Sequence, residues 1–350
     1  MRRPNHGGNL NWASNIANCP PSLILDFSAS INPLGPPLSV LRAIASDLDS
    51  IKAYPDPNYP ELKQVLAQWH QIPSEYILPG NGSAELLTWA AWELSQLTST
   101  YVLTPAFGDY WRALTTFGVK INTCPLDLVT ENWTINTISP QSEGLIITNP
   151  HNPTGKLFSR ETLLPYLDNF GLVVVDEAFM DFLPPSQSQT LIDWVQDYPN
   201  LVILRSLTKF YSLAGLRIGY AIANPERIQR WQQWRDPWTV NSLAITATIA
   251  ALKDTLFQQQ TWNWLTTSRQ QLFTAIASLP QFQPLGSLAN FLLVKTSLPG
   301  SQLQQKLLLQ DKIFIRDCLS FPELGEDYFR VAILSPESNN RLVTALSQCQ

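Results

Sequence analysis

Residues 145–155 read LIITNPHNPTG, residues 172–179 read LVVVDEAF, and residues 201–209 read LVILRSLTK. Each stretch opens with three or four apolar residues, which is typical of strands buried on both faces of a parallel sheet. Each then ends in a polar signature. Asn149 and Asp176 are 27 residues apart, and Asp176 and Lys209 are 33 apart. These spacings match strand–helix–strand units, so the stretches predict an α/β fold with a mostly parallel sheet.

Similar patterns extend this prediction along the chain. Further strands are expected at 101–104 and 217–223, and a helix is expected to begin at Ser83 after a Gly-Asn-Gly turn. The last third mixes both types, with helical sequence at 246–280 and 301–309, strands at 291–295, 312–316 and 328–334, and a final helix opened by Ser335-Pro336. We therefore expect an N-terminal segment (1–45) packing on the small domain and the active site, a large domain (46–245), and a smaller α+β domain (246–350).

The composition limits the class of partner and compartment. The 350 residues are 45% hydrophobic and carry a formal net charge of -5, which argues against a nucleic-acid partner. The four cysteines are far apart and the three histidines are scattered, so neither a disulfide framework nor a metal site is expected. With no apolar signal region and no membrane-length apolar run, the sequence predicts a cytoplasmic protein without a membrane partner.

The polar signatures indicate one particular cofactor. The carboxyl ends of parallel strands line a common crevice, so Asn152, Asp176 and Lys209 are expected to converge there. Pyridoxal 5'-phosphate (PLP) requires a lysine amine for its aldehyde and an acidic partner for its pyridine nitrogen. Lys209 and Asp176 are the catalytic candidates for these two roles, and Asn152 is the candidate donor to the ring hydroxyl.

The phosphate and the ring face of this cofactor would need further residues. Backbone donors at a helix start, hydroxyl groups and a cation together bind a phosphate. The candidates for these roles are Gly82, Ser83, Ser206, Thr208 and Arg217. Phe107, in the stretch PAFGDY just past another predicted strand, is the candidate for stacking on the ring.

The same motifs resemble those of the fold-type I aminotransferase superfamily. The resemblance covers nearly the whole chain and rests on NPxNPTG, DEAF, and SxTK followed by LRxGY. Within the superfamily, the chain is most similar to the group that contains the threonine-phosphate decarboxylases of cobalamin biosynthesis and the histidinol-phosphate aminotransferases. That finer resemblance rests on HGGN (6–9), DFSASINPLG (26–35), WTVN (238–241), IRDC (315–318) and YFRVAI (328–333).

The resemblance implies roles that the residues alone do not assign. It implies a homodimer in which Tyr54 reaches the PLP phosphate of the other subunit. It implies a phosphorylated amino acid as substrate, with Arg330 binding the carboxylate and Arg316 and His6 as candidates for the substrate phosphate. Asn32 and Asn152 would help to position this substrate.

One residue favours a particular reaction within the group. Aminotransferases usually carry tyrosine where this chain has Phe179, so a donor to the ring oxygen is lost. Phe179 is compatible with what the resemblance implies, decarboxylation of L-threonine O-3-phosphate to (R)-1-aminopropan-2-yl phosphate. The alternative is a histidinol-phosphate aminotransferase or a related class I/II aminotransferase. A PLP-binding transcription regulator is disfavoured, because the sequence shows no helix-turn-helix segment before the fold and no basic stretch.

Overall fold

The computed structural model describes residues 3–130, 135 and 140–349. Its strands are β1 (Leu25–Asp26), β2 (Ile77–Gly80), β3 (Ser99–Thr104), β4 (Ile121–Pro125), β5 (Glu143–Thr148), β6 (Leu172–Asp176), β7 (Leu201–Ser206), β8 (Gly219–Ala223), β9 (Phe282–Pro284), β10 (Phe291–Thr296), β11 (Ile313–Phe314), β12 (Arg316–Cys318) and β13 (Gly325–Ala332). Its helices are α1 (Leu10–Ala17), α2 (Leu38–Ser46), α3 (Pro60–His70), α4 (Ser83–Leu94), α5 (Asp109–Thr116), α6 (Arg160–Asn169), α7 (Leu207–Phe210), α8 (Pro225–Trp234), α9 (Ser242–Lys253), α10 (Thr255–Ala277), α11 (Gly300–Asp311) and α12 (Pro336–Ser347).

The large sheet has the order β2-β8-β7-β6-β5-β3-β4. Its strands are parallel except β8, which runs antiparallel to both β2 and β7. Alternate side chains of the central strands enter separate apolar layers: Val173 and Val175 pack in one, and Val174 packs in the other. The predicted α/β class with a mostly parallel sheet is confirmed, and the central strands are covered on both faces.

Two predicted strands differ at positions that matter for the site. The strand expected at 217–223 begins only at Gly219, because Arg217 follows a short 3-10 turn and has a left-handed backbone with φ of 54°. The strand expected at 312–316 is divided, since Lys312 is the left-handed C-cap of α11 and Ile315 separates β11 from β12. Periodicity could not show either break, because the apolar pattern continues across it.

The helix expected to begin at Ser83 does begin there, as α4. Gly82 is the N-cap residue, with φ of 76° and no side-chain cap, and Ser83 is the first helical residue. The final helix also follows the prediction: Pro336 begins it, and the Ser335 hydroxyl accepts a hydrogen bond from the Ser338 amide. In the part of the chain that the structure describes, no helix is long and apolar enough to cross a membrane.

The N-terminal segment joins the C-terminal third of the chain. Strand β1 pairs in parallel with β11, and the amide of Ala332 donates to the carbonyl of Phe27 at 2.8 Å. The second sheet, β12-β13-β10-β9, is antiparallel. On these pairings we propose that the small domain is built from both chain ends, with the expected boundaries at 45/46 and 245/246.

Candidate active site

A cavity of about 310 Å³ lies at the carboxyl ends of the central strands, against the second sheet and the N-terminal segment. It gathers residues predicted from separate parts of the sequence. Those that line it are His6, Gly82, Ser83, Phe107, Asn152, Asp176, Ser206, Thr208, Lys209, Arg217, Arg316 and Arg330. Most of these residues follow strands of the large sheet and meet at one edge of it, as expected. His6, Arg316 and Arg330 come from the two ends of the chain.

Two predicted residues lie outside the cavity lining. The Asn32 side chain is buried and donates to the Phe210 carbonyl at 2.8 Å and to the Thr261 hydroxyl at 2.9 Å. The backbone amide of Asn32 donates to the carbonyl of Lys209 at 3.0 Å, so in this structure Asn32 anchors the backbone beside the lysine. Tyr54 is 79% exposed and packs its ring on Trp238.

Asp176 ends β6 and lines the cavity, and each of its carboxylate oxygens accepts a hydrogen bond. The amide of Ala178 donates to Oδ1 at 3.0 Å, and the hydroxyl of Tyr110 donates to Oδ2 at 2.7 Å. Burial raises the pKa of this carboxyl, while the two hydrogen bonds and the charge of Lys209 oppose the rise. A buried carboxylate held in this way is a suitable acceptor for a protonated ring nitrogen.

Lys209 lies on the short helix α7 directly after β7. Burial lowers the pKa of its amine to about 8, and the positive charges of Arg330 and Arg217 act in the same direction. Asp176 opposes this shift. A substantial fraction of the amine is therefore neutral near pH 8, which is the form that reacts with an aldehyde.

The left-handed turn at Arg217 brings its guanidinium against Gly82. A Cβ atom added at Gly82 would lie 2.7 Å from Arg217 Nη2. The hydroxyl groups of Ser206 and Thr208 lie 2.7 Å apart on the same wall of the cavity. Glycine, two hydroxyls, the start of α4 and a cation form the donor set that a phosphate monoester requires.

Two arginines lie together on the opposite wall. Arg316 and Arg330 are paired across the antiparallel strands β12 and β13, and both are buried. Arg330 donates to Asn152 Oδ1 through Nη1, and its Nε is buried without a hydrogen-bond partner among the described residues. Burial and then the charge of Arg316 lower the pKa of Arg330 to about 10, so the Arg330 guanidinium remains charged at neutral pH.

The N-terminal segment closes this wall. Arg316 donates to the carbonyls of Pro4 and Asn5 and to the hydroxyl of Ser320. Arg3 forms an ion pair with Asp317 at 2.9 Å. His6 packs on Phe107, with 5.4 Å between ring centroids, and burial followed by the charge of Arg316 lowers its pKa.

Phe179 lines the cavity and also belongs to the apolar core. Its ring meets Phe291 edge-on, with 5.0 Å between centroids. Phe179 therefore packs in the core and also lies at the site. A tyrosine hydroxyl is absent from this part of the wall because the residue is phenylalanine.

The family profile "Aminotransferase class I and II" matches residues 23–346. The chain belongs to this family. It is 39% identical to the threonine-phosphate decarboxylase of Salmonella typhimurium over 97% of this chain and 95% of that protein. It is 31% identical to an adenosylcobalamin biosynthesis bifunctional protein of Leptospira interrogans over 99% of this chain, and it covers 41% of that longer protein. The crystal structure of histidinol-phosphate aminotransferase from Clostridium acetobutylicum is 29% identical, covers 93% of this chain and 99% of its own, and gives a TM-score of 0.85.

Membership in the class I and II aminotransferase family confirms the predicted fold and the predicted enzyme class, a PLP-dependent enzyme. The residues of the cavity fit that cofactor. Asp176 supplies an acidic acceptor, and Lys209 supplies an amine with a lowered pKa. The phosphate cradle, formed by Gly82, Ser83, Ser206, Thr208 and Arg217, supplies donors to a phosphate. The roles of the individual residues stay predictions.

Sequence reasoning gave no role to several residues that the structure brings to the site. Tyr110 donates a hydrogen bond to Asp176, and the Thr148 hydroxyl lies beside the Tyr110 hydroxyl. Ser28 and Phe321 line the cavity. Tyr110 stands three residues after Phe107 in the stretch PAFGDY. A tyrosine at the start of a helix beside a predicted site was the available signal, and nothing in one sequence indicated its partner.

Proposed function

We propose that the protein decarboxylates L-threonine O-3-phosphate to (R)-1-aminopropan-2-yl phosphate and CO2, supplying the aminopropanol linker of cobalamin. The observation that carries this proposal is 39% identity, over nearly the full length of both chains, to a threonine-phosphate decarboxylase. The paired arginines support it, because the substrate brings a phosphate and a carboxylate to one wall.

The cofactor would be held by the residues already described. Gly82, Ser83, Ser206, Thr208 and Arg217 would bind its phosphate, Asp176 its pyridine nitrogen, and Phe107 its ring face. When bound, PLP supplies an electron sink for the bonding electrons released at the substrate Cα. Among the donors to the ring oxygen, Asn152 is available from the cavity wall while residue 179 offers none.

The two arginines would orient the substrate. Arg330, buried and with Nε unpartnered, suits the carboxylate, whereas Arg316 beside His6 suits the phosphate. Binding of the phosphate near Arg316 and of the carboxylate at Arg330 would fix the orientation of the substrate. This orientation would select the bond between Cα and the carboxylate for cleavage, and the carboxylate would leave as CO2.

Lys209 would accept and donate the proton at the substrate Cα. Its amine lines the cavity and burial lowers its pKa to about 8, so it is able to hold and release a proton there. The N-terminal segment would exclude water, because Asn5, His6 and Gly7 form part of the cavity wall. A dry site strengthens the charge interactions of both arginines with the substrate.

We also propose a cytoplasmic homodimer with Tyr54 at the subunit interface. The surface from α2 to Tyr54 exposes apolar side chains, Leu38, Leu41, Leu48 and Ile51 among them. Such a patch is typical of a surface that another protein covers. The four cysteines are all free, which supports a reducing compartment. Sedimentation of the holoenzyme tests the dimer, and a monomer at micromolar concentration would contradict it.

The reaction is tested by supplying the two candidate substrates separately. We expect the holoenzyme to convert threonine phosphate without any keto acid and to show little transfer from histidinol phosphate to 2-oxoglutarate. Transamination of histidinol phosphate, with no CO2 from threonine phosphate, would favour the alternative function.

A further inference from the structure

A chain of three hydroxyl and carboxyl groups crosses the floor of the cavity. Thr148 and Asp176 are paired residues at the ends of the parallel strands β5 and β6. Tyr110, buried at the start of α5, places its hydroxyl 2.7 Å from Asp176 Oδ2 and 2.7 Å from Thr148 Oγ1. Thr148 and Asp176 line the cavity, whereas Tyr110 lies behind them.

The hydrogen atoms of this chain have only one consistent arrangement when Asp176 is ionised. A carboxylate only accepts, so the single hydrogen of the Tyr110 hydroxyl is donated to Asp176. The Thr148 hydroxyl then donates to the oxygen of Tyr110. With the Ala178 amide on Oδ1, both carboxylate oxygens are held and the plane of the carboxylate is fixed.

We propose that Tyr110 is a positioning residue which, with the Thr148 hydroxyl donating to its oxygen, holds Asp176 ionised and aimed at the cofactor's ring nitrogen. This inference rests on the proposed function, since it requires a bound PLP. It assigns a role to two residues that neither bind the phosphate nor contact the substrate arginines.

The electrostatic surroundings of Asp176 support this role. Burial raises the pKa of its carboxyl, and the neighbouring charge of Asp109, on the same helix as Tyr110, adds to the rise. The hydrogen bonds from Tyr110 and Ala178 and the charge of Lys209, on α7, oppose it. Tyr110 is therefore one of the few groups that keep the carboxylate in the form that the ring nitrogen needs.

Tyr110 also packs against Phe107, with the rings edge-on and 5.7 Å between centroids. A purely structural role would need only this packing, which phenylalanine preserves. The hydroxyl is thus separable from the ring by the substitution Tyr110→Phe. Thr148→Val gives a second variant that removes the outer donor with little change of shape.

The experiment is a double-mutant cycle of Tyr110→Phe and Asp176→Ala read out as the dissociation constant of PLP from the apoprotein. Binding is followed by the visible absorbance of the cofactor. Tyr59→Phe is the matched control, because this buried hydroxyl also makes two hydrogen bonds, to Pro237 O at 2.8 Å and from Val240 N at 3.2 Å, without contacting Asp176.

We expect Tyr110→Phe to weaken PLP binding about tenfold when Asp176 is present, as loss of a hydrogen bond to a charged group does, and by less than about twofold with Asp176→Ala. Thr148→Val should weaken binding in the same direction, and Tyr59→Phe should leave it unchanged. Equal losses in both backgrounds, or no loss, would overturn the inference. Wild-type protein that binds PLP but releases no CO2 would instead contradict the proposed function alone.

Discussion

Arg316 and Arg330 occupy paired positions on neighbouring antiparallel strands and bury both guanidinium groups on one wall of the cavity. Like charges directly opposite each other on a sheet destabilise it. Arg316 is partly compensated by Asp317, with 3.8 Å between the charged atoms, and by the carbonyls of the N-terminal segment. The arrangement favours a substrate with two anionic groups, which would relieve the repulsion.

Arg316→Gln is predicted to weaken substrate binding without removing the cofactor. Loss of a charged hydrogen bond costs about 1.5–3 kcal/mol, so KM for threonine phosphate should rise by roughly one to two orders of magnitude. Steady-state kinetics with the visible PLP absorbance as a loading control measures this. Arg341→Gln, on α12 outside the active cavity, is the matched control and should leave KM unchanged. An unchanged KM in the Arg316 variant would remove this residue from the substrate site.

Gly82→Ala is predicted to weaken PLP binding by displacing Arg217. The added Cβ would lie 2.7 Å from the guanidinium, and the backbone has φ of 76°, so alanine is also strained there. Gly118→Ala is a matched control: Gly118 has φ of 67°, but no atom of the described residues lies within 4 Å of the new Cβ. We expect both variants to lose a similar free energy of unfolding, about 1 kcal/mol, and only Gly82→Ala to lose cofactor affinity. Equal PLP affinities in the two variants would contradict a role of Gly82 and Arg217 in binding the cofactor phosphate.

Lys209→Met is predicted to stabilise the cofactor-free protein near pH 7. The pKa of Lys209 in the folded protein, about 8, lies below the usual lysine value of 10.5, so the unfolded chain binds more protons between these values. The wild type therefore gains stability as pH rises from 8 towards 10.5, and the variant lacks this gain. Thermal unfolding of both apoproteins from pH 7 to 10 measures the difference. A Tm difference that does not narrow with rising pH would contradict the lowered pKa.

Gly7→Ala is predicted to loosen the N-terminal segment. A Cβ at this position would lie 2.1 Å from the carbonyl oxygen of Ser28, a contact that forces the backbone to move. The cavity wall formed by residues 5–7 would then open, and KM for the substrate should rise more than the dissociation constant of PLP. Gly286→Ala is the control, because its new Cβ meets no atom within 4 Å in the part of the chain that the structure describes. Equal changes in both constants would contradict a selective role in closing the substrate wall.

Much of the large domain could be predicted because its strands are continuous apolar runs that end in polar signatures. Asp176 and Lys209 follow from that pattern, since strand ends meet at one edge of the sheet. The left-handed turn at Arg217 could not be predicted in the same way, because an apolar pattern indicates which residues are buried and not the sign of the backbone angle φ. Tyr110 and the pairing of Arg316 with Arg330 depend on contacts between distant segments, and one sequence contains no signal for their register.

We propose that this site breaks the bond between Cα and the carboxylate of a phosphorylated amino acid. The most direct measurement incubates PLP-loaded protein with L-threonine O-3-phosphate labelled at the carboxyl carbon, with no keto acid present, and counts labelled CO2 together with aminopropanol phosphate. We expect many turnovers with equal amounts of both products, and none with Lys209→Ala. No CO2 release, with amino transfer appearing only when 2-oxoglutarate is added, would contradict it.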